Sequence, residues 1–131
     1  MNPLKIPVRV YEDDIRASRA VARRMAEIIR DKQSRGETAV FGLATGHTPI
    51  GVYRELIRLH REDGLSFANV VTFNLDEYWP IDHQAAQSYN RWMRENLFNL
   101  IDIPAENINI PSGEVAEGDI EDFCRAYEQA I

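Results

Sequence analysis

The chain has 131 residues, with 15 Lys and Arg against 21 Asp and Glu and a formal charge of −6; this is the size of one domain, and an acidic balance argues against nucleic acid, whose phosphate backbone wants a basic face. The apolar runs fall well short of the ~20 residues that cross a bilayer, and the start shows no basic patch followed by an apolar stretch. One cysteine, Cys124, excludes an internal disulfide, so the composition reads as a reduced, cytoplasmic protein with no membrane partner.

Residues 6–10 are short and rich in β-branched side chains, which predicts an edge strand. Asp13 or Asp14 can cap a helix reaching about Gln33, whose apolar face is Ile15, Val21, Ala22, Met25, Ile28 and Ile29. Arg16, Arg19, Arg23, Arg24 and Arg30 give that helix a basic side, read as a solvated face. Gly36 ends the unit. Residues 38–44 (TAVFGLA) predict a buried strand, apolar on both faces as parallel strands are. Thr45-Gly46-His47-Thr48-Pro49 is then a tight loop, with Thr48 as the expected N-cap and Pro49 at the first helical position. A helix over 49–62 follows, with Ile50, Tyr53, Leu56, Ile57 and His60 on one side and Gly64 as its stop.

Residues 69–75 (NVVTFNL) predict a second buried strand, with Asp76-Glu77-Tyr78 at its C-terminal end. A polar loop covers 79–87, and Ser88 caps the next helix, whose Trp92, Leu97 and Phe98 read as core. Pro104 turns the chain into a short strand over 108–110. Ile120, Phe123, Cys124, Tyr127 and Ile131 form the apolar face of a last helix, where Cys124 reads as a small core residue or as part of a face that the rest of a longer domain covers. Strands alternating with helices predict an α/β fold with a mostly parallel sheet. Three or four strands make a small sheet, and the last helix lacks closing Gly or Asn chemistry. The expectation is therefore that residues 1–131 are the N-terminal portion of a single longer domain, cut on its C-terminal side. The apolar side of its last helix leaves a homo-oligomer open.

Two clusters carry chemistry. Gly46 lets the backbone turn and approach a ligand closely, and the first-turn N–H groups with the hydroxyls of Thr45 and Thr48 can meet an anion at a helix N-terminus, most commonly a phosphate. The loop is neither a Walker motif nor a dinucleotide fingerprint, and a plain capped turn is the alternative. Asp76 and Glu77 close a strand at the sheet edge where α/β folds bind ligands. Asp76 there can act as a general base if burial raises its pKa; a strand end closed by charged loop residues is the alternative. Neighbouring strands ending in an anion turn and a carboxylate suit proton abstraction beside the carbonyl of a sugar phosphate. The three histidines, His47, His60 and His83, lie on different elements and make no metal-ligand spacing; His60 fits the favourable cation position at a helix C-terminus.

The blocks FGLATGHTPIGVYRELIRLHREDGLSFANVVTFNLDEY, SYNRWM and IPAENINIPSG resemble the N-terminal half of the glucosamine-6-phosphate deaminase (isomerase) family. The likeness runs from about Phe41 to the end. Related 6-phosphogluconolactonases share the turn but usually follow it with Asp-Glu-Arg and Ser-Asn. The resemblance implies a three-layer α/β/α, Rossmann-like fold and conversion of glucosamine 6-phosphate and water to fructose 6-phosphate and ammonia. It implies that Asp76 is the base moving a proton between C2 and C1. It further implies that Thr45, Gly46, His47 and Thr48 hold the phosphate or lie against the sugar, that Glu77 and Tyr89 line the site, and that no metal or organic cofactor is needed. His47 departs from the family's Gly or Ser, which costs strain if that position has positive φ. The family's Asp-x-His and later Glu do not occur in this chain; Asp82-His83 is adjacent and misplaced. The chain is therefore expected to hold only part of the active site. A lactonase-like hydrolase and a non-catalytic sugar-phosphate-binding module stay open as alternatives.

Overall fold

Parallel strands need helical crossovers, and this chain supplies them. The structure, a computed structural model, describes residues 5–131. Helix α1 spans Asp14–Ser34, β1 Ala39–Leu43, α2 Ile50–Asp63, β2 Val70–Asn74, α3 Tyr89–Asn96, β3 Ile108–Asn109 and α4 Ile120–Ala130. The sheet order is β1-β2-β3, all parallel. Register pairs Ala39 with Val70 and Leu43 with Asn74, so β1 and β2 end level with each other.

Asp13 caps α1 by accepting from the Arg16 N–H at 2.7 Å. Gly64, at φ 66°, closes α2 in the left-handed conformation that glycine adopts freely. The core joins Ala22, Ala26 and Ile29 of α1 to Tyr53, Leu56 and Leu59 of α2, Val70 of β2, and Met93 and Leu97 around α3. Helices α1 to α3 thus cover one face of the sheet. Helix α4 covers the other only over β2 and β3: Tyr127 sets its ring edge-on to Phe73 and donates its hydroxyl to the Asn74 and Asn109 carbonyls at 2.6 and 3.0 Å. The three layers are present, and the second helical layer is incomplete.

Several expectations are corrected. Residues 6–10 join no ladder; Ile6, Val8 and Val10 are exposed, because β-branched alternation makes a strand only where another strand is there to pair with it. Strand β1 is not buried on both faces: Val40 is 58% exposed, beside the part of the sheet that α4 does not reach. Helix α3 stops at Asn96; Leu97 caps it, Phe98 opens a following 3₁₀ turn, and both reach the core. Strand β3 has two residues rather than three. Cys124 is exposed and is no core residue of the described chain, as α4 turns Ile120, Phe123 and Tyr127 inward; its reading as part of a face covered by the rest of a longer domain is untouched. His60 does not merely complement a helix end: its Nδ1 lies 2.6 Å from the Leu65 carbonyl and its ring packs edge-on to Phe67.

Candidate functional site

Because Leu43 and Asn74 are paired, the chain leaves β1 and β2 at the same height. Two residues later these exits reach Thr45 and Asp76. Parallel neighbours lie roughly 4.8 Å apart, so register alone brings the turn and the carboxylate to one edge of the sheet.

The 45–49 turn departs from its expected cap by one residue. Helix α2 begins at Ile50, Pro49 is the flanking residue at φ −81°, and no side chain caps the helix. The Ile50 N–H bonds to the His47 carbonyl and the Tyr53 N–H to the Pro49 carbonyl. Thr48 is therefore a turn residue rather than the cap, one place further from the helix than its sequence suggests. The intervening N–H groups of the first turn stay available to an anion, which the helix dipole favours. Gly46 carries the one strained angle of the turn, φ +102°, and no residue other than glycine has positive φ in the described chain. His47 is thus spared that conformation. Gly46, His47 and Thr48 are exposed and Thr45 is half-buried.

The turn is held from below by Tyr53, whose spacing in the sequence marks it only as part of the apolar face of α2. Its hydroxyl donates to the Ala44 carbonyl and accepts from the Ala44 N–H. Burial pushes its phenol up to about 12, against the opposing pull of the Ala44 bond. A buried tyrosine whose hydroxyl is fully paired fixes the backbone that leads into the loop.

Asp76 and Glu77 have opposite fates. Asp76 is exposed, so the burial invoked for a general base is not supplied by the described residues. Glu77 turns into the N-terminus of α3. Its Oε1 accepts from the Tyr78 and Tyr89 N–H groups at 2.9 Å, and its Oε2 from Ser88 Oγ at 2.7 Å and from Asn90 N and Nδ2 at 2.9 Å. Burial alone would raise this carboxyl; the donors outweigh it and hold its pKa at about 2. Both oxygens are occupied, so the side chain is an anchor for α3. A helix start that follows closely on a strand-end Glu is the signal that would have exposed this in the sequence.

Tyr89, first residue of α3, returns to the site. Its hydroxyl lies 3.4 Å from that of Tyr78, and their rings stand 5.0 Å apart. The Tyr78 hydroxyl raises its pKa most; the Asp76 charge acts in the same direction, and a hydrogen bond with the Thr45 side chain acts against them. Tyr78 and Tyr89 therefore pair at the sheet edge that also carries Thr45 and Asp76; Thr45, Asp76 and Tyr89 are expected from the sequence and Tyr78 is not. Among the described residues, no three His, Cys, Asp or Glu side chains come together to hold a metal ion.

The chain is similar to proteins of known class. The chain is 48% identical over 115 residues to glucosamine-6-phosphate deaminase 2 of Giardia intestinalis, a match covering 88% of this chain and 41% of that protein. Against the glucosamine-6-phosphate deaminase of Thermoanaerobacter sp. strain X514, it is 43% identical over 111 residues, covering 85% and 43%. It superimposes on a monomeric glucosamine-6-phosphate deaminase of solved structure with a TM-score of 0.87 at 40% identity, covering 95% of this chain and 49% of that one. The chain thus spans about half the length, or somewhat less, of these relatives. The family described as glucosamine-6-phosphate isomerases/6-phosphogluconolactonase matches residues 12–131, and the chain belongs to that family.

Proposed function

We propose that residues 1–131 form the N-terminal portion of one sugar-phosphate deaminase/isomerase domain, in a protein that converts glucosamine 6-phosphate and water to fructose 6-phosphate and ammonia. The observation that carries this reading is the level exit of β1 and β2, which sets the 45–48 turn beside Asp76. The identity of 40–48% to named deaminases supports the same reaction class.

In this reading the phosphate seats on the turn. Gly46 gives close backbone approach, the free N–H groups of α2 donate, and Thr45, His47 and Thr48 flank the anion. That seat fixes the sugar so that its first two carbons reach Asp76. With the ring open and the amine protonated, the Asp76 carboxylate takes the proton from C2, the electrons move to the C1 carbonyl, whose oxygen takes a proton from the C2 ammonium, and the C2 proton is returned at C1. The C2 nitrogen is then an imine; water adds to it, ammonia leaves, and the ketone remains. Tyr89 stands where it can hold Thr45 and the substrate, and Glu77 acts through Tyr89 by fixing the start of α3. The groups that open the ring lie outside these 131 residues.

The test uses the full-length protein. Asp76→Asn is expected to abolish ammonia release while substrate binding, followed by calorimetry, stays within a few-fold of wild type. Near-normal turnover in that variant sinks the assignment. Ester cleavage of 6-phosphogluconolactone without ammonia release from glucosamine 6-phosphate would instead establish the lactonase alternative.

A further inference from the structure

A cleft lies outside the Asp76 cluster, and Asp76 does not line it. It is an open cleft of about 470 Å³ between the N-terminal halves of α1 and α2, within the size range of small-molecule sites. Its shape follows from a close helix crossing. A Cβ on Gly51 would stand 2.4 Å from Ser18 Oγ and 2.9 Å from Ser18 Cβ, so glycine is what lets the first turn of α2 approach α1 here.

Arg19, Arg54 and Arg58 all line this cleft, and they are not equivalent. Glu55, 6% exposed, is gripped by Arg58 through Nε at 2.9 Å and Nη2 at 2.7 Å, and Arg58 also meets Glu62 at 3.0 Å. The Arg58 charge is therefore already matched. Arg19 approaches Glu55 only at 3.9 Å. Arg54 has no carboxylate within 4.0 Å among the described residues. Two guanidinium groups with charge to spare thus border the cleft, one from each helix. Asp14, also in the lining, opposes them and disfavours a polyanion. Thr45, Gly46, Thr48 and Asp76 are not in the lining; His47 is the residue shared with the turn.

We propose that this cleft is a second anion site, taking a phosphate or a compact phosphate monoester between Arg19 and Arg54. Guanidinium groups bind phosphate in paired, directional contacts, which exposed ammonium groups do not. Because His47 belongs to both places, occupancy of the cleft bears on the turn. The proposal is independent of the deaminase reading, since its readout is binding rather than turnover.

The experiment titrates inorganic phosphate into the full-length protein and follows backbone amide shifts by NMR. Saturating shifts are expected at Ser18, Arg19, Gly51 and Arg54. Arg19→Ala and Arg54→Ala should each weaken that binding about tenfold, the loss expected for a charge-assisted contact, while Arg61→Ala, on the same helix but outside the cleft, should leave it unchanged. Both arginines are exposed and alanine suits a helix, so both variants should fold. Shifts confined to residues 45–48, or identical saturation in wild type and both arginine variants, would overturn the proposal.

Discussion

Asn90 is joined to Glu77 twice. Its backbone N–H and its Nδ2 both donate to Oε2 at 2.9 Å, and Nδ2 also reaches the Pro111 carbonyl at 3.2 Å. One buried asparagine thus ties the segment after β2, the start of α3 and the chain at Pro111 into a single unit. Replacing Glu77 with alanine strands the donors of Ser88, Tyr89 and Asn90 together. The loss expected for Glu77→Ala is about 2–3 kcal/mol, the scale of a hydrogen-bonded charge, read as a lower urea midpoint at unchanged slope.

Acid should act on the same carboxyl. Its pKa is about 2 in the fold against 4.5 as the ordinary value. Between those values the unfolded chain binds the extra proton, so stability rises with pH. The Glu77 contribution is complete above about pH 4.5 and disappears as pH falls through about 2. Urea midpoints of wild type and Glu77→Gln should converge over that window. Curves that stay parallel would show that the carboxylate does not carry this slope.

Tyr53 gives a test of the turn that leaves its exposed residues untouched. Tyr53→Phe removes the hydroxyl paired with both backbone groups of Ala44 and leaves those groups unpaired in a half-dry site. A stability loss of about 1–2 kcal/mol is expected. In the full-length protein KM for the phosphorylated substrate should rise several-fold, with kcat falling less. An unchanged KM would mean that the turn keeps its shape without this support.

Two glycines should fail for different reasons. At Gly46 a methyl group on Cα would meet nothing within 4 Å, but φ is +102°, so Gly46→Ala costs about 1–2 kcal/mol through backbone strain alone. At Gly113 the angle is ordinary, yet a Cβ would sit 2.2 Å from Ile81 Cγ2 and 2.5 Å from the Tyr78 carbonyl. Gly113→Ala should therefore cost about 1–3 kcal/mol by overpacking and displace Tyr78. Thermal melts rank the two, and loss of the Tyr78–Tyr89 contact should accompany only the second.

The helices were legible because their apolar residues recur at three- and four-residue steps, as Ala22, Met25 and Ile29 do in α1. The site's frame was legible for a similar reason: Thr45 and Asp76 each follow a strand-like apolar run, and parallel strands share an edge. Residues 6–10 misled because a strand is a property of a pair, and no pairing partner can be read from one segment. Glu77 misled because its role depends on five donors, four of them on residues 88–90, which come together only through the path of the 79–87 loop. Tyr53 and Tyr127 were read by their rings, whereas their hydroxyls fix the ends of all three strands. Periodicity reports which side of an element is apolar and says nothing of the polar tip that a tyrosine carries past it.

The two tryptophans of the chain occupy unlike surroundings. Trp92 packs edge-on to Tyr53 beneath the turn, 6.2 Å between ring centres. Trp79 is 45% exposed, next to Tyr78, with its indole N–H on the Val115 carbonyl at 2.7 Å. The molecule therefore carries its own pair of optical reporters. Acrylamide should quench Trp79 and spare Trp92, so that a ligand arriving beside Tyr78 changes the quenchable emission, while loosening of the Tyr53 support changes the protected part.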